Sequence, residues 1–252
     1  MFSIEHQDHL ALLHMQHGPA NAMELDFCLD LTRVVRELNQ SAAHAMILTG
    51  SGKIFSAGVD LPQLLEGGVA YVRKFLPALD DLLETLFFCS KPVVAAVNGH
   101  AIAGGCLLAC CADLRLMAKS KGRIGVPELR VGVPFPVVAL EIMRARCHPT
   151  FFTEIILEAA TYDVDSALQR GLIDRAVATE DLMNTALSTA HTLAAIPADI
   201  FAFTKQQIRG PVRSAIEQEK PRQAAQLQSL WESPVTHQAV GEFVARTLKK
   251  TR

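Results

Sequence analysis

The stretch VVAAVNGHAIAGGC, residues 93–106, combines a strand, a turn and the start of a helix. Its apolar run at 93–97 predicts a strand that is buried on both faces. Asn98 and Gly99 predict the turn that follows. A helix is then predicted from Gly104 to Cys111, so that the pair Gly104-Gly105 opens it. Free amides and the helix dipole at such a start favour an anion.

Two other segments also follow predicted strands. FSAGVD at 55–60 comes after a strand at 45–49, and PELRVGVP at 127–134 comes after one at 123–125. Ligands of α/β folds bind at these carboxyl ends of strands. One amide from 55–60 and one from Gly104-Gly105 would make an oxyanion hole, in which a single donor contributes roughly 3–4 kcal/mol. The competing interpretation of a Gly-Gly pair is close packing.

Strand and helix patterns alternate along the chain, which predicts the α/β class. A hairpin is predicted at 2–13, and further strands at 114–117 and 173–177. Pro77 should kink or split the long helix at 69–88. No strand is predicted beyond residue 198, and an apolar stripe in the last helix needs a partner on its own core or another subunit. The remaining helices are predicted at 23–38, 150–159, 163–170 and 180–193.

Composition excludes several classes of protein. The chain has 252 residues, of which 50% are hydrophobic, and a net charge of −2, so we expect neither extended disorder nor a nucleic-acid partner. The basic end with Lys249, Lys250 and Arg252 is too short to change this. The six cysteines form no Cys-x-x-Cys pair, which favours reduced, buried thiols in a cytoplasmic protein without a metal site. We find no signal peptide or peroxisomal address, and polar breaks argue against a membrane span at 92–112.

The order of the motifs points to a known family. Residues 10–180 resemble the crotonase family, also called the enoyl-CoA hydratase/isomerase family. The Asn-Arg-Pro run that is typical of the family near the N-terminus is absent, and QHGPANA stands at 16–22 instead. The motifs that carry the resemblance are SAGVD at 56–60, KPVVAAVNG at 91–99, AGGC at 103–106, CAD at 111–113, PELRVG at 127–132 and ALQRGLID at 167–174.

The resemblance implies a spiral core of ββα units at 1–195 and a helical oligomerisation region at 196–252, in a homotrimer or a dimer of trimers. It implies an acyl-CoA thioester as substrate, with coenzyme A as part of the substrate and no further cofactor. The backbone amides of Val59 and Gly104 would hold the thioester oxygen. The implied substrate-binding residues are Ser56, Ala57, Gly58, Asp60, Leu61, Gly105, Leu107 and Phe135.

One acidic position distinguishes the branches of this family. Hydratases of the family carry two glutamates, and the first of these positions is occupied here by Leu107, whereas the second is kept as Glu128. A single carboxylate suits an isomerase that shifts a 3-enoyl-CoA double bond to the 2-position, as in fatty acid metabolism. Glu128 would then need a raised pKa, which its apolar sequence neighbours favour. The competing interpretation pairs Glu128 with Arg130.

Other functions remain open at this stage. One is a hydratase, hydrolase, decarboxylase or dehalogenase on another acyl-CoA, because one fold hosts many reactions. Another is a non-catalytic CoA-binding scaffold. We expect a structural role for His100 and a helix cap at Asp60, while the role of Asp113 is left open. Residues proposed for the acyl pocket are Phe75, Leu76, Leu79, Val133, Phe135 and Pro136.

Overall fold

The computed structural model describes residues 1–248, except for the side chain of Leu248, so the basic end at 249–252 lies outside the described residues. A six-stranded sheet has the order β1-β2-β4-β7-β9-β12. Strands β1 and β2 form the predicted antiparallel hairpin, and the other neighbours are parallel. Its strands are β1 (Phe2–Gln7), β2 (Leu10–Met15), β4 (Ala45–Thr49), β7 (Val93–Val97), β9 (Leu114–Ala118) and β12 (Arg175–Val177).

A second sheet runs beside the first in the order β11-β10-β8-β5, and a small parallel pair joins β3 to β6. Three successive passages of the chain, which begin at β4, β7 and β9, each add a strand to the large sheet, then one to the small sheet, and then a helix. This repetition is the expected spiral of ββα units. Of the short strands, β10 (Ile124–Gly125) confirms the strand predicted at 123–125. The others were not predicted: they are β3 (Ala22–Met23), β5 (Ile54–Ser56), β6 (Gly58–Val59), β8 (His100–Ile102) and β11 (Thr161–Tyr162).

Helices surround the two sheets, and most of them agree with the predicted ranges. Asp163 caps α7 by accepting from the Ser166 amide at 2.9 Å, and Gly171 follows its end with a positive φ of 71°. The helices are α1 (Leu25–Gln40), α2 (Leu61–Phe87), α3 (Gly104–Cys111), α4 (Glu128–Val131), α5 (Val137–Arg146), α6 (Pro149–Glu158), α7 (Val164–Gln169), α8 (Leu182–Ala194), α9 (Ala198–Trp231) and α10 (Pro234–Leu248).

The central strands β4 and β7 are buried on both faces, as their uninterrupted apolar runs predicted. Because side chains alternate along a strand, Ile47 packs toward α8 whereas Met46 and Leu48 face the main core. The six cysteines are all free and buried, which confirms the prediction of reduced packing residues. The carboxyl ends of the parallel strands are thus held by a core on each side.

Helix α2 breaks at Gly68 and not at Pro77. Gly68 has φ 54° and ψ −152°, outside the helical region, while the helix continues through Pro77. The prediction for Pro77 was therefore wrong about the position of the break. A glycine tolerates the positive φ that this break requires, which a residue with a Cβ does not. The break lets the first part of α2 take its own direction beside the site.

A buried ion cluster holds α9 against the core. The Asp113 carboxylate accepts from Lys205 Nζ at 2.6 Å, from an Arg209 guanidinium nitrogen at 2.6 Å and from the Val93 amide at 2.8 Å. The two cationic side chains are only 6% and 4% exposed. This cluster gives Asp113, whose role the sequence left open, a structural function. It connects the C-terminal end of α3 and strand β7 to the last long helix.

Helix α10 folds back over its own chain, so the apolar stripe of the last helix packs on its own core. Val240 is fully buried, and Phe243 and Val244 pack with Leu64 and Val133.

Among the described residues, no single helix is long and apolar enough to cross a membrane. One pair of helices, Thr179–Ala194 and Ala198–Trp231, reaches the required length and apolar composition only when the two are taken together, and it is bent by 101°.

We predict that Asp113→Asn lowers the free energy of unfolding by about 3 kcal/mol, because the change leaves two buried cations without their counter-ion. Urea denaturation followed by circular dichroism measures the loss. Asp30→Asn is the matched control, since Asp30 pairs with Arg33 on the surface, where both side chains are well exposed. The control should cost less than about 1 kcal/mol. Equal losses in the two variants would contradict the anchoring role.

Candidate active site

Two backbone segments approach each other closely where β6 meets the start of α3. A Cβ built on Gly58 would lie 2.6 Å from Ile102 O and 3.0 Å from Gly104 N. A Cβ on Gly104 would lie 2.7 Å from Met23 Sδ. Glycine is therefore required at position 58, where the backbone also has a positive φ of 83°, whereas a Cβ at position 104 would press on the flexible end of the Met23 side chain. The predicted members of the amide pair, Val59 and Gly104, adjoin this contact.

The local structure leaves both predicted amides available to a ligand. The Asp60 amide donates to Met23 O on β3 at 3.0 Å. Because backbone amides alternate in direction along an extended strand, the preceding Val59 amide points away from β3. Gly104 is the first residue of α3, where an amide has no acceptor within its own helix. Ala103 before it has φ 53° and ψ −123°, a conformation that is rare for a residue with a Cβ.

Gly105 and Ser56 hold this arrangement together from behind. A Cβ on Gly105 would lie 2.2 Å from Ser56 O, so α3 packs directly on the backbone of β5. The Ser56 hydroxyl is fully buried, donates to Asn21 O at 2.8 Å and accepts from the Gly58 amide at 3.2 Å. The side chain of Ser56 thus fixes the 55–60 loop instead of facing the open side of the site. The two interpretations of the Gly104-Gly105 pair are therefore compatible. Gly105 allows the close packing, and Gly104 provides the amide.

Glu128 begins the short helix α4 and is only 8% exposed. Its Oε2 atom is buried and has no hydrogen-bond partner among the described residues. Desolvation raises the pKa of the Glu128 carboxyl to about 8, although its own backbone amide acts in the opposite direction. Neither Arg130 nor another cation forms an ion pair with it in the described part of the chain. The competing interpretation, in which Glu128 pairs with Arg130, was therefore wrong.

The amide pair and Glu128 line one small cavity, which we call the inner pocket. Its volume is about 90 Å³. Leu107 forms part of its wall, and Glu128 is the one ionisable side chain among its described lining residues. The complete lining comprises Ala57, Val59, Leu61, Leu79, Ile102, Ala103, Gly104, Leu107, Pro127, Glu128, Val131, Val133, Pro136, Trp231 and Phe243.

A wider, more open cavity of about 400 Å³ adjoins the inner pocket, and we call it the outer cavity. The two share Ala57, Val59, Leu61 and Phe243 as walls. The outer cavity is otherwise bounded by residues 17–22 and 60–62 and by the last helix. Asp60 lies on its rim and caps α2, as predicted, by accepting from the Gln63 amide at 2.9 Å. A ligand can therefore extend from the amide pair toward the surface.

Some predicted residues lie elsewhere. Phe135 packs against the main core and does not line the inner pocket, whereas Pro136, which was also predicted for the acyl pocket, does line it. Phe75 is fully buried in the core, and Leu76 faces a different cavity. These assignments failed because they depended on sequence distance, whereas the loop at 132–136 turns one neighbour inward and the next one outward. His100 also lies off the pocket, where its Nδ1 accepts from the Arg123 amide at 3.2 Å.

Two aromatic side chains of the pocket were missed. Trp231 ends α9 and Phe243 lies on α10, and both line the inner pocket. This region was predicted to serve oligomerisation, and the apolar stripe of its last helix was predicted to pack on its own core or on another subunit, but neither aromatic residue was assigned to the site. The available signal was a tryptophan in an otherwise polar helix and an apolar stripe that needed a partner. The last two helices thus supply a wall of the site in their own chain.

This geometry supports one type of chemistry. Two amides aimed into an apolar pocket stabilise negative charge on a substrate oxygen. A carboxyl group with a pKa near neutrality accepts a proton and returns it. The site therefore suits proton transfer next to a carbonyl group whose oxygen becomes an enolate.

Comparison with known proteins agrees with this geometry. The sequence profile of the family described as enoyl-CoA hydratase/isomerase matches residues 5–248. The short-chain-enoyl-CoA hydratase of Clostridium acetobutylicum is 32% identical over 199 residues, which cover 78% of this chain and 76% of that protein. The crystal structure of a probable enoyl-CoA hydratase of Mycobacterium tuberculosis has a TM-score of 0.84 at 30% identity, with 90% of this chain and 96% of that chain covered.

The structure of human mitochondrial delta3-delta2-enoyl-CoA isomerase superposes with a TM-score of 0.92 at 25% identity, covering 100% of this chain and 99% of that chain. Hydratases and isomerases therefore both occur among the similar proteins. The profile match across nearly the whole described chain and the shared fold decide the classification. The chain belongs to the enoyl-CoA hydratase/isomerase family.

Proposed function

We propose that this protein is an enoyl-CoA isomerase, which moves a 3-enoyl-CoA double bond to the 2-position. The observation that carries the proposal is the presence of a single carboxyl group, Glu128, beside the amide pair in the inner pocket. Leu107 lines the pocket at the position where the hydratase pattern has the first of its two glutamates. An isomerase needs to move one proton and no water, so one carboxyl group is sufficient.

The proposed reaction has two steps. The Glu128 carboxylate removes a proton from C2 of the acyl group, and the electron pair of that bond spreads over C2, C3, C4 and the thioester oxygen. The amides of Val59 and Gly104 bind this dienolate oxygen. Glu128 then returns the same proton to C4, which leaves the double bond between C2 and C3. The double bond changes its position, and the substrate neither gains nor loses an atom.

The outer cavity supplies a place for the coenzyme A part of the substrate. It meets the inner pocket beside Ala57 and Leu61, which are two of the predicted substrate-binding residues. The thioester would lie at the junction, with the acyl chain inside. Coenzyme A is then part of the substrate, and the reaction requires no other cofactor. A cytoplasmic location stays a prediction.

A hydratase is the second candidate, and the names of several similar proteins favour it, including the Clostridium acetobutylicum enzyme. Hydration adds a water molecule to C3, and the water must be activated as well as positioned. Leu107 has neither a donor nor an acceptor for this purpose. We therefore prefer the isomerase, because the described pocket offers only Glu128 for acid-base work.

We also propose that the protein assembles as a homotrimer or a dimer of trimers. The first half of α9 presents an exposed apolar face, with Ile200 60%, Phe203 63% and Ile208 70% exposed. Their spacing puts them on neighbouring parts of the helix surface. Exposed apolar patches of this kind are typical of protein interfaces. A second copy of the same chain would cover the face.

The reaction can be tested with purified protein. We expect conversion of 3-hexenoyl-CoA to the conjugated 2-enoyl product, detected by its absorbance, and little hydration of 2-butenoyl-CoA. Glu128→Gln should lower isomerisation by roughly 10²–10⁴-fold, because it removes the proton carrier. Glu37→Gln is the surface control. Fast hydration without isomerisation would overturn the proposed reaction, and a fully active Glu128→Gln would overturn its mechanism.

The pH dependence follows from the raised pKa of Glu128, which is about 8. Only the ionised carboxylate removes a proton, so kcat/KM should rise about tenfold per pH unit below pH 8 and level off above it. The same burial means that the folded protein is more stable with the Glu128 carboxyl protonated than with it ionised. Stability should therefore fall as pH rises from about 4.5 to 8, and Glu128→Gln should reduce this loss. A flat kcat/KM profile between pH 6 and 9 would contradict the assignment.

The oligomeric state is measurable by light scattering after size-exclusion chromatography. We expect a mass of three or six chains, and we expect Ile208→Lys to shift the distribution toward smaller species, since it places a charge in the proposed interface. Leu29→Lys on α1 is the control, because Leu29 is also exposed but lies on another face. A monomeric wild-type protein would refute the assembly without affecting the proposed chemistry.

A further inference from the structure

Two residues that line the inner pocket each carry a buried polar atom without a hydrogen-bond partner among the described residues. One is Glu128 Oε2, which belongs to the carboxyl group that moves the proton in the proposed reaction. The other is the indole Nε1 of Trp231, which has no hydrogen-bond partner among the described residues. Trp231 is only 5% exposed, and its side chain lines the same pocket. The proposed isomerisation makes no use of this second group.

The surroundings of Trp231 explain why its N–H finds no acceptor in the described part of the chain. It packs in an apolar cluster with Leu64, Val131, Val133 and Val240. A buried donor without an acceptor is unfavourable, and native proteins satisfy nearly all such groups. A phenylalanine would fill this wall without that penalty. The indole is therefore a polar group that a bound ligand can satisfy.

The pocket restricts what that ligand can be. An indole N–H only donates, so the ligand must present an acceptor. No cation lines the inner pocket in the described chain, and Glu128 must ionise within it. A ligand carboxylate would meet repulsion there without compensation. The acceptor is therefore a neutral oxygen, such as a hydroxyl or a ketone.

We propose that Trp231 determines substrate specificity by donating a hydrogen bond to a neutral oxygen on the acyl chain. The preferred substrates are then short acyl-CoA esters that carry a hydroxyl or keto group beyond the thioester. A pocket of about 90 Å³ accommodates only a short chain. This inference depends on the proposed acyl-CoA function. It assigns Trp231 to recognition, because an indole does not exchange a proton in the reaction.

Saturated esters test binding without turnover. The probes are three pairs in which a terminal hydroxyl replaces a methyl: 3-hydroxypropanoyl with butanoyl-CoA, 4-hydroxybutanoyl with pentanoyl-CoA, and 5-hydroxypentanoyl with hexanoyl-CoA. Calorimetry gives the dissociation constants. We expect the hydroxylated ester of at least one pair to bind about tenfold more tightly than its alkyl partner, which corresponds to about 1.4 kcal/mol. In the other pairs the hydroxyl should bring no gain, since its cost of burial is not recovered.

The chain provides an optical readout at the same position, because Trp231 is its only tryptophan. We expect the emission of the free protein to lie at short wavelength, as for an apolar environment. The preferred hydroxylated ester should shift it to longer wavelength, whereas its alkyl partner should not. Such a shift reports a new hydrogen bond at the indole, which a purely structural tryptophan would not show.

Two variants separate recognition from packing. Trp231→Phe keeps an aromatic ring and removes the N–H, so the hydroxyl preference should disappear. Phe243→Leu changes the same wall without removing a polar group, so the preference should persist. Retention of the preference in Trp231→Phe, or alkyl esters that bind as tightly as hydroxylated ones in every pair, would overturn the role of Trp231. Failure to bind any acyl-CoA would instead overturn the proposed function on which it rests.

Discussion

The contact between the backbones of Gly58 and Gly104 is the constraint on which the site depends. A side chain at Gly58 would separate β6 from α3, because a Cβ there would lie 2.6 Å from Ile102 O and 3.0 Å from Gly104 N. The backbone groups of the predicted amide pair lie next to this contact. The Val59 amide, the start of α3 and the unusual backbone of Ala103 all lie within a few residues of it. The sheets on either side keep the contact rigid, which is what a preorganised oxyanion site needs.

Placing Glu128 in an apolar wall has opposite effects on stability and reactivity. Burial without a partner disfavours the ionised form and costs folding free energy once the carboxyl ionises. The same desolvation makes the carboxylate a stronger base than one in water. Leu107 contributes to this by keeping a second charge and its hydration out of the inner pocket. The replacement of a polar residue by a leucine thus changes both the number of proton carriers and the basicity of the one that remains.

The sequence predicted what is encoded locally. Apolar runs located β4 and β7, and the Gly104–Cys111 helix was predicted with its observed bounds. Motif order identified the family, and it predicted Glu128 and the amides of Val59 and Gly104 as residues of the site. Two-residue strands such as β6 escaped detection because they are too short for a periodic pattern and exist only through pairing with β3. Contacts that join distant parts of the chain, such as Trp231 with the inner pocket, depend on how α9 turns back, which no local pattern encodes.

The route of α9 and α10 has a consequence for how the protein is made. Synthesis proceeds from the N-terminus, so the sheets, the Gly58–Gly104 contact and Glu128 all leave the ribosome before Trp231 and Phe243. A nascent chain that has folded its ββα core still lacks one wall of the inner pocket. Glu128 in such a chain lacks the apolar surroundings that Trp231 and Phe243 supply, so we expect its carboxyl to be less desolvated than in the complete fold. The apolar enclosure of the inner pocket is therefore completed only when the last helices dock, after the amide pair and Glu128 have been synthesised.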